Sequence, residues 1–552
     1  MNALDNPFYY LENFEQALSW LRSRYEDVLD EQEHAFLAGF AGLPRSSRAL
    51  LVRLIMRKGQ HFRCSKLSYA EIGDLAAAAT PLLDQGWLSA EVPLALHELF
   101  DLFGKPELRE CFSAHRLAPT GRKGDWFETL APMHRQRATL RQWWPACADE
   151  VWLLTVRPLC ERLRMLFFGN LRQDWSQFVL VELGLQRFEP VDFPLASRAI
   201  RHRADLSVAM GLAACAQVLE EGTADEQLLV TLHGLASDNP WLASRQQKLL
   251  FRVGQGYERE GRCAEAESLY ARCQWPGARL RRLRMLERTE RFSEALALAE
   301  VASQAPESPA EAQGLARLLP RVRRALGAPV KLRRRAAPVE RLDLELPYHD
   351  SVERAVRDAL AEADAPVVYV ENTLFTALFG LLCWPALFAP LPGAFFHPFQ
   401  ASPLDLYQPD FAQRRAALLD ACLGELDTGT YRDTIVRRFA EKFGVANPFV
   451  HWGAIALPLL ELALACIPPR HLRLCFERLL EDPKANRAGM PDLIQFYPAR
   501  GDYRMIEVKG PGDRLQDNQL RWIAFCQEHG LSVLVCHVRW EAAVETAEPA
   551  CP

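Results

Sequence analysis

The sequence predicts a multidomain, mainly α-helical protein that ends in a smaller α/β domain. Two observations predict the helical part. Arginines recur among leucines at helical spacing around residue 50, and a tract from about Asp205 to Leu326 is dense in Ala, Leu, Glu and Arg with few β-branched runs. A third predicts the α/β end: two short β-type runs, residues 492–497 and 503–509, flank a turn-rich segment at 498–502. A chain of 552 residues, 49% hydrophobic and 24% charged, has room for about three or four domains, each with its own core.

In chain order, the first element spans residues 1–90. Arg45, Arg48, Arg53, Arg57, Lys58, Arg63 and Lys66 are interleaved with Leu50, Leu51, Leu54 and Ile55. That spacing predicts a helix with one apolar and one cationic face, which serves either as a solvated surface or as a phosphate contact. Residues 91–132 resemble a SAP-type helix-loop-helix, a small DNA-binding unit whose loop glycine and following lysine approach the duplex backbone. Here those positions fall at Gly121, Arg122 and Lys123. Backbone N–H groups at a helix start beside two cations suit phosphate, although a charged loop tip is the plainer reading.

Residues 133–204 read as a helical connector, and residues 205–338 as a helical array. Gly261-Arg-Cys-Ala-Glu-Ala266 is echoed by Glu290-Arg-Phe-Ser-Glu-Ala295, an offset of twenty-nine residues that resembles degenerate tetratricopeptide hairpins. Arg279, Arg281, Arg282 and Arg284 are candidates to line a surface that braces DNA or a partner. A basic stretch at 321–338, with Arg323, Arg324, Lys331 and Arg333 to Arg335, marks the junction with the last domain.

The last domain, 339–552, carries the most specific chemistry. Gly489-Met-Pro-Asp492 opens the first β-type run, and Glu507-Val-Lys509 ends the second. Side chains alternate along a strand, so Glu507 and Lys509 project from one face and Val508 from the other. Asp492 on the adjoining strand then approaches Glu507, and two carboxylates with the Val508 carbonyl suit a hard divalent cation. Lys509 is placed to orient or deprotonate a water, or to stabilise charge on a phosphate. An amphipathic edge strand with a solvated Lys-Glu pair is the alternative for these residues alone.

In full, Gly489-Met-Pro-Asp-Leu493, Glu507-Val-Lys-Gly-Pro-Gly-Asp-Arg-Leu-Gln-Asp-Asn-Gln519-Leu-Arg-Trp522 and Val533-Leu-Val-Cys-His537-Val resemble the VRR-NUC branch of the PD-(D/E)XK nucleases, in particular the Fanconi-associated nucleases. The resemblance implies an α/β nuclease domain using one or two Mg²⁺ or Mn²⁺ ions. It implies a third carboxylate on the first helix of that fold, for which Glu371 in Tyr369-Val-Glu-Asn-Thr is the candidate, and a supporting role for Gln519. Without it, Glu371 is simply an acid favoured at a helix start. Trp522 reads as core, and Asn486 and Arg487 as either phosphate contacts or surface charge. The resemblance also extends to the basic N-terminal segment and implies phosphate contacts for Arg57, Lys58 and Arg63.

Composition sets further bounds. A net charge of −5 means that DNA contact comes from local patches. Fourteen cysteines without a CxxC pair indicate neither a zinc finger nor a disulfide framework, and they suit a reducing compartment. The ubiquitin-binding zinc finger of the eukaryotic relatives is therefore not expected. Residues 374–396 lack charge and are long enough to span a bilayer, but Pro385, Pro390 and Pro392 interrupt them, so a buried helix ending near Trp384 is expected. Helices inserted between Phe411 and Leu480, with His451, Trp452 and Glu461 structural, complete the domain. No basic region leads into an apolar stretch at the N-terminus, so no secretory signal is expected and a cytoplasmic place follows, on the nucleoid in a bacterium or in the nucleus of a eukaryote.

The resemblance implies a structure-selective 5′-flap endonuclease and 5′ exonuclease of DNA interstrand crosslink repair, with branched or flapped duplex DNA as its partner. A junction-resolving or restriction-type nuclease of the same fold, and a non-catalytic repair scaffold, are the alternatives. Arg245 and Lys248 are guesses for gripping a 5′ end.

Overall fold

The computed structural model describes residues 6–115, 117–118, 120–175, 187–222, 224–328 and 339–541. Lys331 and Arg333 to Arg335 of the basic junction lie outside the described residues. The chain divides into two compact units, Met1–Leu185 with Ile200–Ala213 and Gln186–Ala199 with Ala214–Pro552.

In the first unit the amphipathic helix forms over Arg45–Met56 and buries Leu50, Leu51, Leu54 and Ile55. Its cationic face is largely neutralised: Arg48 pairs with Glu15, and Arg53 Nη2 lies 2.6 Å from Glu71. Three strands, β1 (His61–Arg63), β2 (Leu88–Ser89) and β5 (Val151–Leu154), form an antiparallel sheet in the order β1-β5-β2. The stretch read as a helical connector thus supplies the central strand, because Val151-Trp-Leu-Leu154 is an apolar run with its own face to bury.

Between these strands, helices Leu96–Leu102, Lys105–Cys111 and Lys123–Leu130 pack around Leu99, Phe100, Phe103, Leu108 and Trp126, tied at the base by β3 (Pro93–Leu94) and β4 (Ala138–Thr139). Trp126 Nε1 donates to Ala118 O at 3.1 Å, and a Cβ on Gly121 would come within 2.5 Å of that nitrogen. Only glycine fits this loop.

In the second unit, helices from Glu226–Gly234 to Pro309–Ala325 pack each on the next. The repeat is structural as well as textual. Gly261 and Glu290, twenty-nine residues apart, both hold a left-handed backbone (φ 78° and 57°), and the next residue's N–H returns to Tyr257 O and Leu286 O at 2.9 Å in both copies. Three of the four arginines expected to line a bracing surface are consumed within the array: Arg279 pairs with Glu311, Arg281 with Glu258 and Arg282 with Glu267, each at 2.7 Å, while Arg284 is exposed. Arg321 and Arg323 are likewise held by Glu287 and Glu300. The last array helix meets Asp517–His529 through a two-pronged Arg317–Asp517 pair (2.7 and 2.5 Å) and an Arg521–Gln313 bond of 2.8 Å.

The sheet of this unit has the order β6-β10-β9-β8-β7, with β6 (Glu340–Leu346), β7 (Val367–Tyr369), β8 (Leu493–Tyr497), β9 (Asp502–Lys509) and β10 (Val533–Trp540). β8 and β9 form the predicted antiparallel hairpin, and β7 extends it antiparallel, while β10 runs parallel to both β9 and β6. One face packs Ile506, Val508, Leu534 and Cys536 against Val356. The other packs Ile494, Met505, Val533 and Val535 into a core built on the helix Leu374–Leu382, every residue of which is buried. At roughly 1.5–3 kcal/mol per buried Leu or Phe, that helix explains why the apolar run stays inside. It stops before Trp384-Pro385, and among the described residues no helix is long and apolar enough to cross a membrane. Five helices between Phe411 and Glu481 fill the inserted region.

Candidate active site

The loop entering β8 is shaped by Gly489, whose φ of 89° and an approach of 2.8 Å between a would-be Cβ and Asn518 Cγ exclude any other residue. That contact seats the first turn of helix Asp517–His529 against the loop. Asp492 follows, buried, and its Oδ2 accepts the Val508 N–H at 2.8 Å across the hairpin. Glu507 is fully buried and lies on the same face as Met505, with Val508 opposite, as the alternation predicts. Lys509 Nζ sits 2.7 Å from Glu507 Oε1, yet neither Glu507 oxygen meets a donor at hydrogen-bond angles among the described residues.

Glu371 does not lie on a helix. It occupies the exposed turn between β7 and Leu374, because Asn372 takes a left-handed backbone (φ 53°) that breaks helical continuity. The turn is tied to the Asp492 segment by Val370 N–H to Asp492 O (2.9 Å) and Met490 N–H to Asn372 Oδ1 (3.2 Å). Tyr369 Oη donates to Glu371 Oε2, and Asn372 Nδ2 donates to its Oε1 at 3.1 Å. Tyr369 and Asn372 were assigned no role from sequence; the one available signal was an asparagine, tolerant of positive φ, directly after the acid.

Electrostatics match the geometry. Burial pushes the Asp492 carboxyl up to about 6, opposed by the Val508 N–H and reinforced by the nearby Glu371 charge. Burial and the Asp492 charge push Glu507 up to about 7, against the pull of Lys509. Two buried acids that share a site, one of which, Glu507, has no hydrogen-bonded donor, are stabilised by a cation. All the donors are oxygens, which suits a hard divalent ion, so these residues fit one. Among the described residues no three His, Cys, Asp or Glu side chains close around one point.

The remaining candidates fall as follows. Gln519 is the third residue of its helix, and its Oε1 accepts the Gln516 N–H at 2.9 Å, a cap on the turn that backs Gly489. Asn486 is buried, bonding Arg478 O and accepting from Trp522, and Arg487 is engaged by Tyr407 and Pro448. Neither points freely to a ligand. In the first unit Arg57 and Lys58 are exposed at the end of their helix, and at the start of theirs Arg122 is exposed and Lys123 half-buried. Arg63 is different: it is buried, with both terminal nitrogens on Glu107 (2.7 and 3.0 Å) and Nε on Asp149 (2.8 Å). It serves as a buried strut and not as the expected phosphate contact, since its charge is met by two carboxylates and a further N–H is taken by Leu102 O.

Three family patterns match this chain: "FAN1, HTH domain" over residues 8–89, "Fanconi anemia-associated nuclease SAP domain" over 93–143 and "VRR-NUC domain" over 427–540. The chain is 53% identical over 541 residues to the Fanconi-associated nuclease 1 homolog of Pseudomonas aeruginosa, covering 98% of this chain and 97% of that one. It is 26% identical to the homolog of Oryza sativa, spanning 96% of this chain and 62% of the longer plant protein. A crystal structure of paFAN1 bound to 2nt 5′ flap DNA with a gap superposes with a TM-score of 0.90 at 53% identity, over 98% of this chain and all of that one. Likeness of this degree, end to end and in both sequence and fold, makes the chain a DNA nuclease that belongs to the Fanconi-associated nuclease family.

Proposed function

We propose that the protein cuts branched DNA at 5′ flaps, as a structure-selective endonuclease and 5′ exonuclease serving interstrand crosslink repair. Asp492, Glu507, Glu371 and the Val508 carbonyl would hold one or two Mg²⁺ or Mn²⁺ ions. Such an ion, when bound, supplies Lewis acidity to the scissile phosphate and a lower pKa to a bound water. The protein's own contribution is placement. The hairpin fixes Asp492 to the Val508 backbone, the sheet excludes water from Glu507, and Lys509 holds its ammonium beside that acid, ready to orient the attacking water or meet charge on the phosphate.

The observation that carries this reading is the buried Asp492-Glu507-Lys509 group, in which neither Glu507 oxygen has a hydrogen-bonded donor. The flap preference rests on the likeness to paFAN1, whose crystal structure holds 5′ flap DNA. Arg57 and Lys58 in region 1–90, and Arg122 and Lys123 in region 91–132, are the phosphate contacts; the array at 205–338 braces the nuclease domain, 339–552, through Arg317 and Asp517. Gln519 supports the site indirectly, by capping the helix turn against Gly489. The work is assigned to the cytoplasm, at the DNA.

End-labelled 5′-flap, 3′-flap, four-way-junction and plain duplex DNA, incubated with Mg²⁺, Mn²⁺ or EDTA, test it. Metal-dependent cutting of the 5′ flap, absent from Asp492→Ala, is expected. Preference for a four-way junction would retain the chemistry and remove the flap assignment.

A further inference from the structure

The turn that carries Glu371 spends its neighbours' polar atoms on that one acid. Tyr369 Oη reaches Oε2, and Asn372 Nδ2 reaches Oε1 at 3.1 Å. The other end of the same amide, Oδ1, accepts the Met490 N–H at 3.2 Å, two residues before Asp492. Asn372 therefore grips one candidate ligand with its donor and the strand entry of another with its acceptor. The amide orientation follows from its partners: turned over, it would face oxygen to carboxylate and nitrogen to N–H.

The backbone at Asn372 points the same way. Among the described residues only Glu290 and Asn372 hold positive φ without being glycine. Such a conformation costs on the order of 1 kcal/mol and persists where the surroundings over-determine it. Asparagine tolerates it and supplies both a donor and an acceptor; aspartate lacks the donor, and glycine lacks both groups.

We propose that Asn372 is a positioning residue for the cation site, joined by Tyr369: it fixes Glu371 relative to the Met490–Asp492 segment before any cation arrives. The proposal rests on the reading above, in which Glu371 and Asp492 are cation ligands. Ligating carboxylates are commonly oriented by hydrogen bonds from outside the ligand set, and losing such a bond typically costs about 10–100-fold in metal affinity. Tyr369, half exposed, contributes one bond to Glu371 and none to Met490, so its loss is the smaller one.

The test is a Mn²⁺ titration of the full-length protein without DNA, with free Mn²⁺ followed by electron paramagnetic resonance, so that turnover plays no part. Wild type, Glu371→Ala, Asn372→Gly and Tyr369→Phe are compared; Asn372→Gly keeps positive φ accessible while removing both amide contacts. Affinity in Asn372→Gly is expected to fall about 10–100-fold, towards that of Glu371→Ala, with a lesser fall in Tyr369→Phe. Weakening by Glu371→Ala with wild-type affinity in Asn372→Gly would overturn the proposal while the ligand assignment stands. Unchanged affinity in Glu371→Ala would remove that assignment and the proposal with it. If Asn372→Gly does not fold, Tyr369→Phe decides, and wild-type affinity there counts against the clamp.

Discussion

Lys509 Nζ lies 2.7 Å from Glu507 Oε1 although both side chains are buried, and two residues on one strand make this contact only because they share a face. The ammonium is therefore the resident cation of the site. It offsets part of the cost of keeping Glu507 in an apolar sheet.

Removing that ammonium should separate chemistry from binding. In Lys509→Ala, flap cleavage in saturating Mg²⁺ is expected to fall about 10²–10³-fold, the scale of a lost transition-state donor, while flap affinity in Ca²⁺ stays within about threefold of wild type. Single-turnover cleavage and fluorescence anisotropy measure the two quantities. Equal losses in both would make Lys509 a DNA anchor instead.

The buried acids should be indispensable for cutting and dispensable for binding. Asp492→Ala and Glu507→Ala are each expected to abolish cleavage and retain DNA affinity in Ca²⁺, because both acids face the sheet hairpin and not an exposed cationic surface. Loss of the folded state, read by circular dichroism, would mark them as structural.

The pH dependence has a definite sign. Asp492 and Glu507 titrate in the folded protein near 6 and 7, above ordinary carboxyl values. A raised carboxyl pKa stabilises the fold below the unfolded value, near 4, and that contribution is lost as pH rises through 6 to 7. The melting temperature of the EDTA-treated protein should therefore fall between pH 5 and pH 8 by an amount that Mg²⁺ or Mn²⁺ restores at pH 8 and not at pH 5. Asp492→Asn with Glu507→Gln should flatten the profile. A cation effect equal at both pH values would place the titrating groups elsewhere.

Arg63 and the loop cations Arg122 and Lys123 should behave oppositely. Arg63→Ala leaves Glu107 and Asp149 unpaired in a largely buried site and is expected to destabilise the first unit by about 3 kcal/mol in denaturant titration. Arg122→Ala with Lys123→Ala should leave stability unchanged and reduce the slope of log affinity against log salt by about 1.8, the yield of two lost phosphate contacts. An unchanged slope would remove this loop from the DNA path.

What could be read directly from the sequence was local. Asp492, Glu507 and Lys509 were legible because strand alternation and a short turn relate residues within one hairpin, and the array repeat was legible because the same turn recurs at a fixed spacing. The helix 374–382 was legible from its apolar run and the prolines after it. Arg63 was not, since its partners stand 44 and 86 residues away and only folding turns a basic residue of a cationic segment into a buried strut. Arg279, Arg281 and Arg282 follow the same course, each meeting an acid from another helix of the array. The strand Val151–Leu154 was read as part of a helical connector, because its partners β1 and β2 lie far earlier in the chain. Resemblance supplied Glu371 but put it on a helix, and the tertiary structure placed it in a turn clasped by Tyr369 and Asn372. By itself, then, the sequence determined which residues are candidates for the chemistry, because composition and short-range periodicity are properties of the chain. Tertiary structure decided which charges remain free to use it, because pairing depends on which distant segments the fold brings within a hydrogen bond of each other.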